Sequence, residues 1–202
     1  FPFQALTYAE EKFFFFFFFP EIRVNEFRQD ELFEVVALYV YALDLSQESI
    51  AKNIGDGHRI LKGVAGSGKT LVLACRAKYL KTIYPEYKIL VVCYNNSLCN
   101  HLRHMFGDDF NEKLEVRNFH GLVKQITSAN LSMLKNEKQT DYNSRVGQIL
   151  LDYLEQSGLA ETEKYDAILI DEGQDFAQEW INGLSQLVKA ETNNILFCYI
   201  YI

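Results

Sequence analysis

Short apolar runs alternate along most of the chain with segments whose apolar residues recur at helical spacing. Runs of strand length lie at residues 59–61, 88–94, 114–119, 165–170 and 194–202. Helices are predicted over residues 69–83, from the turn at 95–97 to about 106, and over about 178–189, with a polar and mostly helical stretch at 122–164. The run at 88–94 is continuously apolar, which is typical of a strand buried in a parallel sheet. The pattern therefore predicts an α/β fold, a parallel sheet with helices on both faces.

The first 44 residues do not follow this alternation. Phe13–Phe19 is a run of phenylalanines closed by Pro20, and it is shorter than the roughly 20 apolar residues that span a bilayer. We expect the run to be buried, because an exposed segment of this kind would aggregate. Apolar spacing within 31–43 predicts a packing helix. The chain thus divides into a poorly defined segment, residues 1–44, and a domain, residues 45–202. The domain ends inside a predicted strand, so we expect a fragment of a longer protein.

A glycine-rich turn joins the first strand of this domain to the helix that follows. Its residues are Gly63, Val64, Ala65, Gly66, Ser67, Gly68, Lys69 and Thr70, the GxxxxGK[ST] pattern of a phosphate-binding loop. Such glycines let backbone N–H groups face phosphate oxygens, and the helix N-terminus favours negative charge. Lys69 would reach the terminal phosphates and Thr70 would hold Mg²⁺. A chance match is the alternative, but the flanking strand and helix favour a nucleoside triphosphate site, with ATP and Mg²⁺ as its ligands.

Two acidic residues, Asp171 and Glu172, follow the apolar strand at 165–170. Carboxyl ends of parallel strands meet at one edge of a sheet, so we expect Asp171 beside Thr70 as a second Mg²⁺ ligand. Glu172 would then orient or deprotonate the water that attacks the γ-phosphate. An acidic turn without function is the structural alternative, and the phosphate loop upstream argues against it.

Composition and charge narrow the classes of protein further. A net charge of −7 argues against coating nucleic acid by bulk electrostatics, although it leaves room for a local basic groove. The cysteines have neither a CxxC pattern nor metal-ligand spacing, which predicts small core residues in a reducing, cytoplasmic setting. Neither a signal peptide nor a bilayer-spanning run is visible, so we expect no membrane association.

Gln174 makes the acidic motif more specific. The string Asp-Glu-x-Gln-Asp at 171–175, together with the phosphate loop, resembles motif II of the UvrD/Rep-like superfamily I helicases. Residues 45–47 resemble the glutamine motif of that family, residues 92–98 its motif Ia, and residues 116–122 its Thr-Phe-His motif Ib. Residues 57–70, with 19–23 upstream, look like the bacterial helicases that carry an N-terminal nuclease-related domain. Gly173 and Asn118 depart from the family pattern, which usually has a small residue such as Ala and a Thr there.

This resemblance implies a RecA-like domain of an ATP-dependent motor that moves on single-stranded DNA, with 3′-to-5′ polarity. RNA stays open as a substrate. The resemblance further implies that Gln47 reads the adenine edge, that Gln174 couples hydrolysis to movement, and that a second RecA-like domain supplies arginines to the ATP site. The residues that it places along the strand path are Asn95, Asn96, Ser97, Phe119 and His120.

Structural alternatives stand beside these strand contacts. Residues 95–97 form a strand-ending turn and helix cap whether or not they touch DNA. Phe119 could be a core residue, although the motif favours a base-stacking platform, and His120 could be an ordinary loop histidine. For the whole domain the alternative is a P-loop switch that binds ATP without unwinding. A small-molecule kinase is a weaker reading, because it has no need of the Asp-Glu-x-Gln string.

Overall fold

The computed structural model describes residues 45–107 and 110–200. Its helices are α1 (45–53), α2 (Lys69–Ile83), α3 (Asn96–Phe106), α4 (Phe119–Thr127), α5 (Gln139–Ser157) and α6 (Gln178–Leu187). Its strands are β1 (Arg59–Gly63), β2 (Ile89–Cys93), β3 (Leu114–Asn118), β4 (Ala167–Ile170) and β5 (Asn194–Ile200). Short 3₁₀ turns lie at Glu161–Glu163 and Gly173–Asp175. The predicted helix at 31–43, the phenylalanine run and residues 201–202 lie outside the described residues.

Within these ranges the strands form one sheet in the order β1-β5-β4-β2-β3, and each neighbouring pair is parallel. The predicted α/β fold with a parallel sheet is confirmed, and its architecture is RecA-like. The carboxyl ends of all these strands lie at one edge of the sheet. At this edge β5 separates β1, which leads into the phosphate loop, from β4, which leads into Asp171.

Helices cover both faces of the sheet, as predicted. One hydrophobic cluster packs α2 and α3 against the sheet, and the other packs α4, α5 and α6 around Trp180. Strand β2 serves both clusters, with Ile89, Val91 and Cys93 in the first and Leu90 and Val92 in the second. Successive side chains of a strand point to opposite faces, so a strand covered on both sides has to be apolar at every position.

The segment between β3 and β4 differs in detail from its prediction. The strand predicted to reach 119 ends at Asn118, whose side chain accepts a hydrogen bond from Gly121 N at 2.7 Å and so caps α4. Helices α4 and α5 confirm the mostly helical prediction, but residues 128–138 between them form a loop. Arg145 of α5 ties this loop down, with Nε 2.7 Å from Glu137 Oε1.

The cysteines correct one expectation. Cys93, Cys99 and Cys198 are buried core residues, as predicted. A disulfide joins Cys93 at the end of β2 to Cys99 in α3, however, so the expectation of reduced cysteines is wrong for this pair. The pair lacks a CxxC signature, and it meets because α3 folds back over the strand that precedes it.

Each helix within residues 45–107 and 110–200 is too short or too polar to span a lipid bilayer.

Candidate nucleotide-binding site

The phosphate loop lies at the carboxyl edge of the sheet, between β1 and α2. Gly66 and Gly68 have φ values of 75° and 80°, in the left-handed region that glycine enters without strain. Gly68 is the N-cap of α2, so the loop delivers its last residues directly to a helix N-terminus. Backbone N–H groups of the first helical turn have no partner within the helix, which makes this end suited to bind an anion.

Lys69 folds back over the loop that precedes it. Its ammonium donates to Gly63 O at 3.1 Å, to Val64 O at 2.8 Å and to Ser67 Oγ at 3.3 Å. The residue is buried, and these three acceptors are neutral. A positive charge is therefore held inside the loop without an anion among those acceptors, which is the electrostatic setting that a phosphate group would complete.

Thr70 and Asp171 come together across the site, although they lie far apart in the chain. Thr70 Oγ1 donates to Asp171 Oδ2 at 2.8 Å. Asp171 follows β4 directly and is 1% exposed. Burial raises the pKa of the Asp171 carboxyl above its usual range, and the hydrogen bond from Thr70 acts in the opposite direction. The structure thus places the two predicted Mg²⁺ ligands beside each other.

Glu172 adopts a left-handed backbone conformation with φ 51° and ψ 45°. This region costs a residue with a side chain about 1–2 kcal/mol. Its carboxylate accepts a hydrogen bond from Gln174 Nε2 at 2.7 Å, and Gln174 Oε1 in turn accepts from Ile200 N at 3.0 Å. The acidic turn is therefore linked to the end of β5.

The ring of Phe197 explains why a glycine occupies position 173. A Cβ added at Gly173 would collide with the end of that ring, so this turn leaves no space for the alanine that the helicase motif usually has here. The departure noted in the sequence is matched by a large aromatic residue on β5, the strand that pairs with β1.

Gln47 of α1 reaches the same loop. Its side-chain amide lies against Gly68, where even an added Cβ would collide with it. Gln47 Oε1 is buried, and among the described residues it has no hydrogen-bond partner. A buried acceptor without a donor is costly, so a hydrogen-bond donor from a bound ligand would stabilise this oxygen.

The predicted strand-contact residues fall into two groups. Asn95, Asn96 and Ser97 are exposed where β2 ends. Asn95 also caps α3 by accepting from Leu98 N at 2.8 Å, so the predicted cap is present. Asn96 Oδ1 accepts from Asn118 Nδ2 at 2.8 Å. This pairing was not predicted from the sequence, although Asn118 ends β3 beside the end of the neighbouring strand β2.

Phe119 corrects the expectation of a base-stacking platform. It is fully buried, and its ring stacks on Trp180 with centroids 4.2 Å apart. His120 is half-buried and stacks on Tyr142 at 5.2 Å, and burial lowers the pKa of its imidazole. Phe119 is therefore a core residue. It follows β3 directly and packs in the hydrophobic cluster around Trp180.

The described residues contain no group of three or more His, Cys, Asp or Glu side chains arranged to hold a metal ion. Mg²⁺ does not need such a cage, since it is usually bound by one or two carboxylates together with substrate phosphates. Thr70 and Asp171 fit that kind of site.

A family model described as an AAA domain matches residues 46–198. The chain belongs to this family. The matched residues include most of α1, the phosphate loop and β4, and the family assignment supports a P-loop NTPase domain, which implies nucleotide binding. A search of curated proteins gives no match.

Proposed function

We propose that this domain is the ATP-hydrolysing motor of a UvrD-like DNA helicase that moves along single-stranded DNA in the 3′-to-5′ direction. The observation that carries the proposal is the 2.8 Å contact between Thr70 Oγ1 and Asp171 Oδ2. It joins the phosphate loop to the end of β4, where Glu172 follows. A pair of magnesium ligands with a carboxylate next to it is what hydrolysis of a nucleoside triphosphate requires.

Each residue has its own task in ATP hydrolysis. The backbone of Gly63–Gly68 holds the phosphates, and Lys69 exchanges its neutral loop acceptors for phosphate oxygens. Thr70 and Asp171 hold Mg²⁺, which when bound neutralises developing phosphate charge. Glu172 orients the attacking water and takes its proton.

Gln174 supports the coupling role that the helicase resemblance gives it. Its side chain bridges Glu172 and the backbone N–H of Ile200 at the end of β5. A displacement of that strand end would therefore pull on the side chain of the catalytic base. This is a physical route by which movement of a neighbouring domain changes the rate of hydrolysis.

Single-stranded DNA is the proposed partner. Asn95, Asn96 and Ser97 are exposed at the edge of the sheet that carries the nucleotide site. Their amide and hydroxyl groups suit phosphate and sugar oxygens, which position a strand without reading its sequence. RNA presents the same phosphate and sugar oxygens, so a binding competition between single-stranded DNA and RNA distinguishes the two candidate substrates. A second RecA-like domain of the same protein is proposed to add arginines to the ATP site.

One observation favours the alternative of an ATP-binding switch. Phe119 is buried and His120 is half-buried, so the proposed strand path keeps only part of its expected side chains. A switch would need the nucleotide site but no DNA contact.

ATP turnover by the full-length protein with and without single-stranded DNA separates these functions. We expect DNA to stimulate hydrolysis by the motor. Hydrolysis that single-stranded DNA leaves unchanged would favour the switch.

The substitution Asn96→Asp sharpens this test. It keeps the oxygen that accepts from Asn118 and adds a negative charge facing the proposed DNA backbone. We expect weaker DNA binding with unchanged turnover in the absence of DNA. Asn182→Asp is the matched control, because Asn182 is an exposed residue of α6 whose Oδ1 accepts from Gln178 in the same way. Equal DNA affinity in the two variants would remove residues 95–97 from the strand path.

A further inference from the structure

Arg76 is a buried cation in α2, and the proposed mechanism of ATP hydrolysis gives it no role. Arg76 is 2% exposed. Its guanidinium donates to Ala51 O at 3.3 Å, to Gly55 O at 2.6 Å and to Asp56 Oδ1 at 3.1 Å. Two of these acceptors are backbone carbonyls, so the guanidinium holds the path of the chain at 51–56.

The segment that Arg76 holds includes the end of α1. Ala51 lies four residues after Gln47 and therefore on the same face of the helix. Ala51 is fully buried, so this face is the one packed against the domain. The hydrogen bond from Arg76 to Ala51 therefore also fixes the position of Gln47 over Gly68, one helical turn away.

The connection from α1 to β1 does little by itself to fix the position of α1. Gly55 and Gly57 both have left-handed φ values, and glycines leave such a turn free to adopt other conformations. Arg59 also contacts this connection, through Nε to Ile54 O at 3.0 Å, but it is exposed and its hydrogen bonds do not reach α1. The guanidinium presents its donors in a rigid planar fork, which fixes two carbonyls and a carboxylate in one geometry. A lysine carries a compact ammonium on a flexible stem and fixes such acceptors less tightly.

We propose that Arg76 is a positioning residue for nucleobase selectivity, which fixes α1 so that the buried Gln47 Oε1 meets a donor on a purine base. The inference rests on the proposed function, in which the site binds ATP and Gln47 reads its base. The ligand class is a purine nucleoside triphosphate, and the acceptor Oε1 favours a base that presents an amino group at that edge.

The experiment compares the affinities of ATP, GTP and inorganic triphosphate, each measured by displacement of a fluorescent ATP analogue. The variants are Gln47→Ala, Arg76→Lys and the control Arg59→Lys, together with the double variant Gln47→Ala/Arg76→Lys. Melting temperatures are measured on the same samples.

For Arg76→Lys we expect the preference for ATP over GTP to fall by about five- to tenfold, the value of one hydrogen bond, while triphosphate affinity stays within about twofold. The double variant should be no less selective than Gln47→Ala alone, because both changes act through one contact. Arg59→Lys should keep the selectivity of the wild type.

Three results would overturn the inference. If Gln47→Ala loses selectivity and Arg76→Lys keeps it, Arg76 does not position Gln47, while base recognition stands. If Gln47→Ala keeps the preference for ATP over GTP, Gln47 does not read the base, and the proposed role of Arg76 is then wrong as well. If Arg76→Lys weakens all three ligands equally and lowers the melting temperature, Arg76 is only structural.

Should Arg76→Lys fail to fold, Asp56→Lys provides the test. Asp56 is exposed, and a lysine there repels the guanidinium without entering the core. We expect a smaller loss of selectivity in the same direction. Unchanged selectivity in this variant would overturn the inference.

Discussion

In the proposed function, Glu172 is the residue that separates nucleotide binding from hydrolysis. Its neighbour Asp171 and the Thr70 hydroxyl form the proposed Mg²⁺ site, while the carboxylate of Glu172 is held separately by Gln174. Glutamine at position 172 can still accept from Gln174 Nε2, so the shape of the site survives, but it cannot take a proton.

We therefore expect Glu172→Gln to keep Mg²⁺-dependent ATP affinity and to lower turnover by about 10²–10⁴-fold. Titration with a fluorescent ATP analogue and a steady-state phosphate assay measure the two quantities. Glu155→Gln, at an exposed position of α5, should change neither. A fall in affinity as large as the fall in turnover would make Glu172 a metal ligand or a structural residue.

Gly173 gives a prediction about stability. Because a Cβ at this position meets the ring of Phe197, Gly173→Ala should lower the free energy of unfolding by about 1–3 kcal/mol, the usual cost of overpacking. Phe197→Leu removes the outer ring atoms, so adding it to Gly173→Ala should recover part of that loss. Chemical denaturation of the four members of this cycle tests the coupling. Additive effects would show that the ring does not exclude a side chain at 173.

At the residue scale, the sequence predicts what strand ends and the loop pattern dictate. Thr70 and Asp171 meet because the residues that follow parallel strands all lie at one edge of the sheet. This rule can be applied to the sequence alone. Phe119 could not be placed in the same way. Its exposure depends on whether the chain is still a strand there, and the cap formed by Asn118 decides that through a hydrogen bond to Gly121 N.

At the scale of elements, the order of strands and helices is predictable and their contacts are not. The apolar runs locate β2 and β4 because both strands are buried on two faces. The insertion of β5 between β1 and β4 has no local signal, nor does the disulfide between β2 and α3. The hold of Arg76 on α1 is likewise a tertiary feature, since an arginine within a helical pattern reads as a solvated residue.

The loop at 128–138 is held to α5 by an ion pair that should respond to pH. Hydrogen bonds from Arg145 lower the pKa of Glu137 from 4.5 to about 2. A carboxyl whose pKa is lower in the folded state stabilises that state fully above its unfolded pKa. This contribution is lost as the pH falls from about 4.5 through about 2.

We therefore expect Glu137→Gln to lower the melting temperature at neutral pH. The difference from the wild type should shrink as the pH falls below about 4.5. Thermal melts of both proteins between pH 3 and pH 7 test this. Glu86→Gln is a suitable control, because Glu86 pairs with Lys113 at an exposed site, where an ion pair contributes little. A difference that stays constant with pH would mean that Glu137 acts through packing and not through its charge.

At the scale of the whole molecule, the proposed motor needs groups for both nucleotide binding and hydrolysis, and these two requirements differ. The phosphate loop, Asp171 and Glu172 all lie at one carboxyl edge of the sheet, so we expect nucleotide binding to require no group from another domain. Hydrolysis is more demanding, because charge develops on phosphate oxygens beyond the reach of a single lysine. In related nucleotide hydrolases an added arginine accelerates this step by about 10³–10⁵-fold.

We expect residues 1–202 to bind ATP in the presence of Mg²⁺, to hydrolyse it very slowly, and to unwind no duplex. Lys69→Ala should lose the binding, because Lys69 is the cation held within the loop. A fluorescent ATP analogue with and without Mg²⁺, followed by turnover with and without single-stranded DNA, measures each step. Strong DNA-stimulated hydrolysis by these residues would contradict the proposal of a second domain, since the site would then already hold every group that phosphoryl transfer requires.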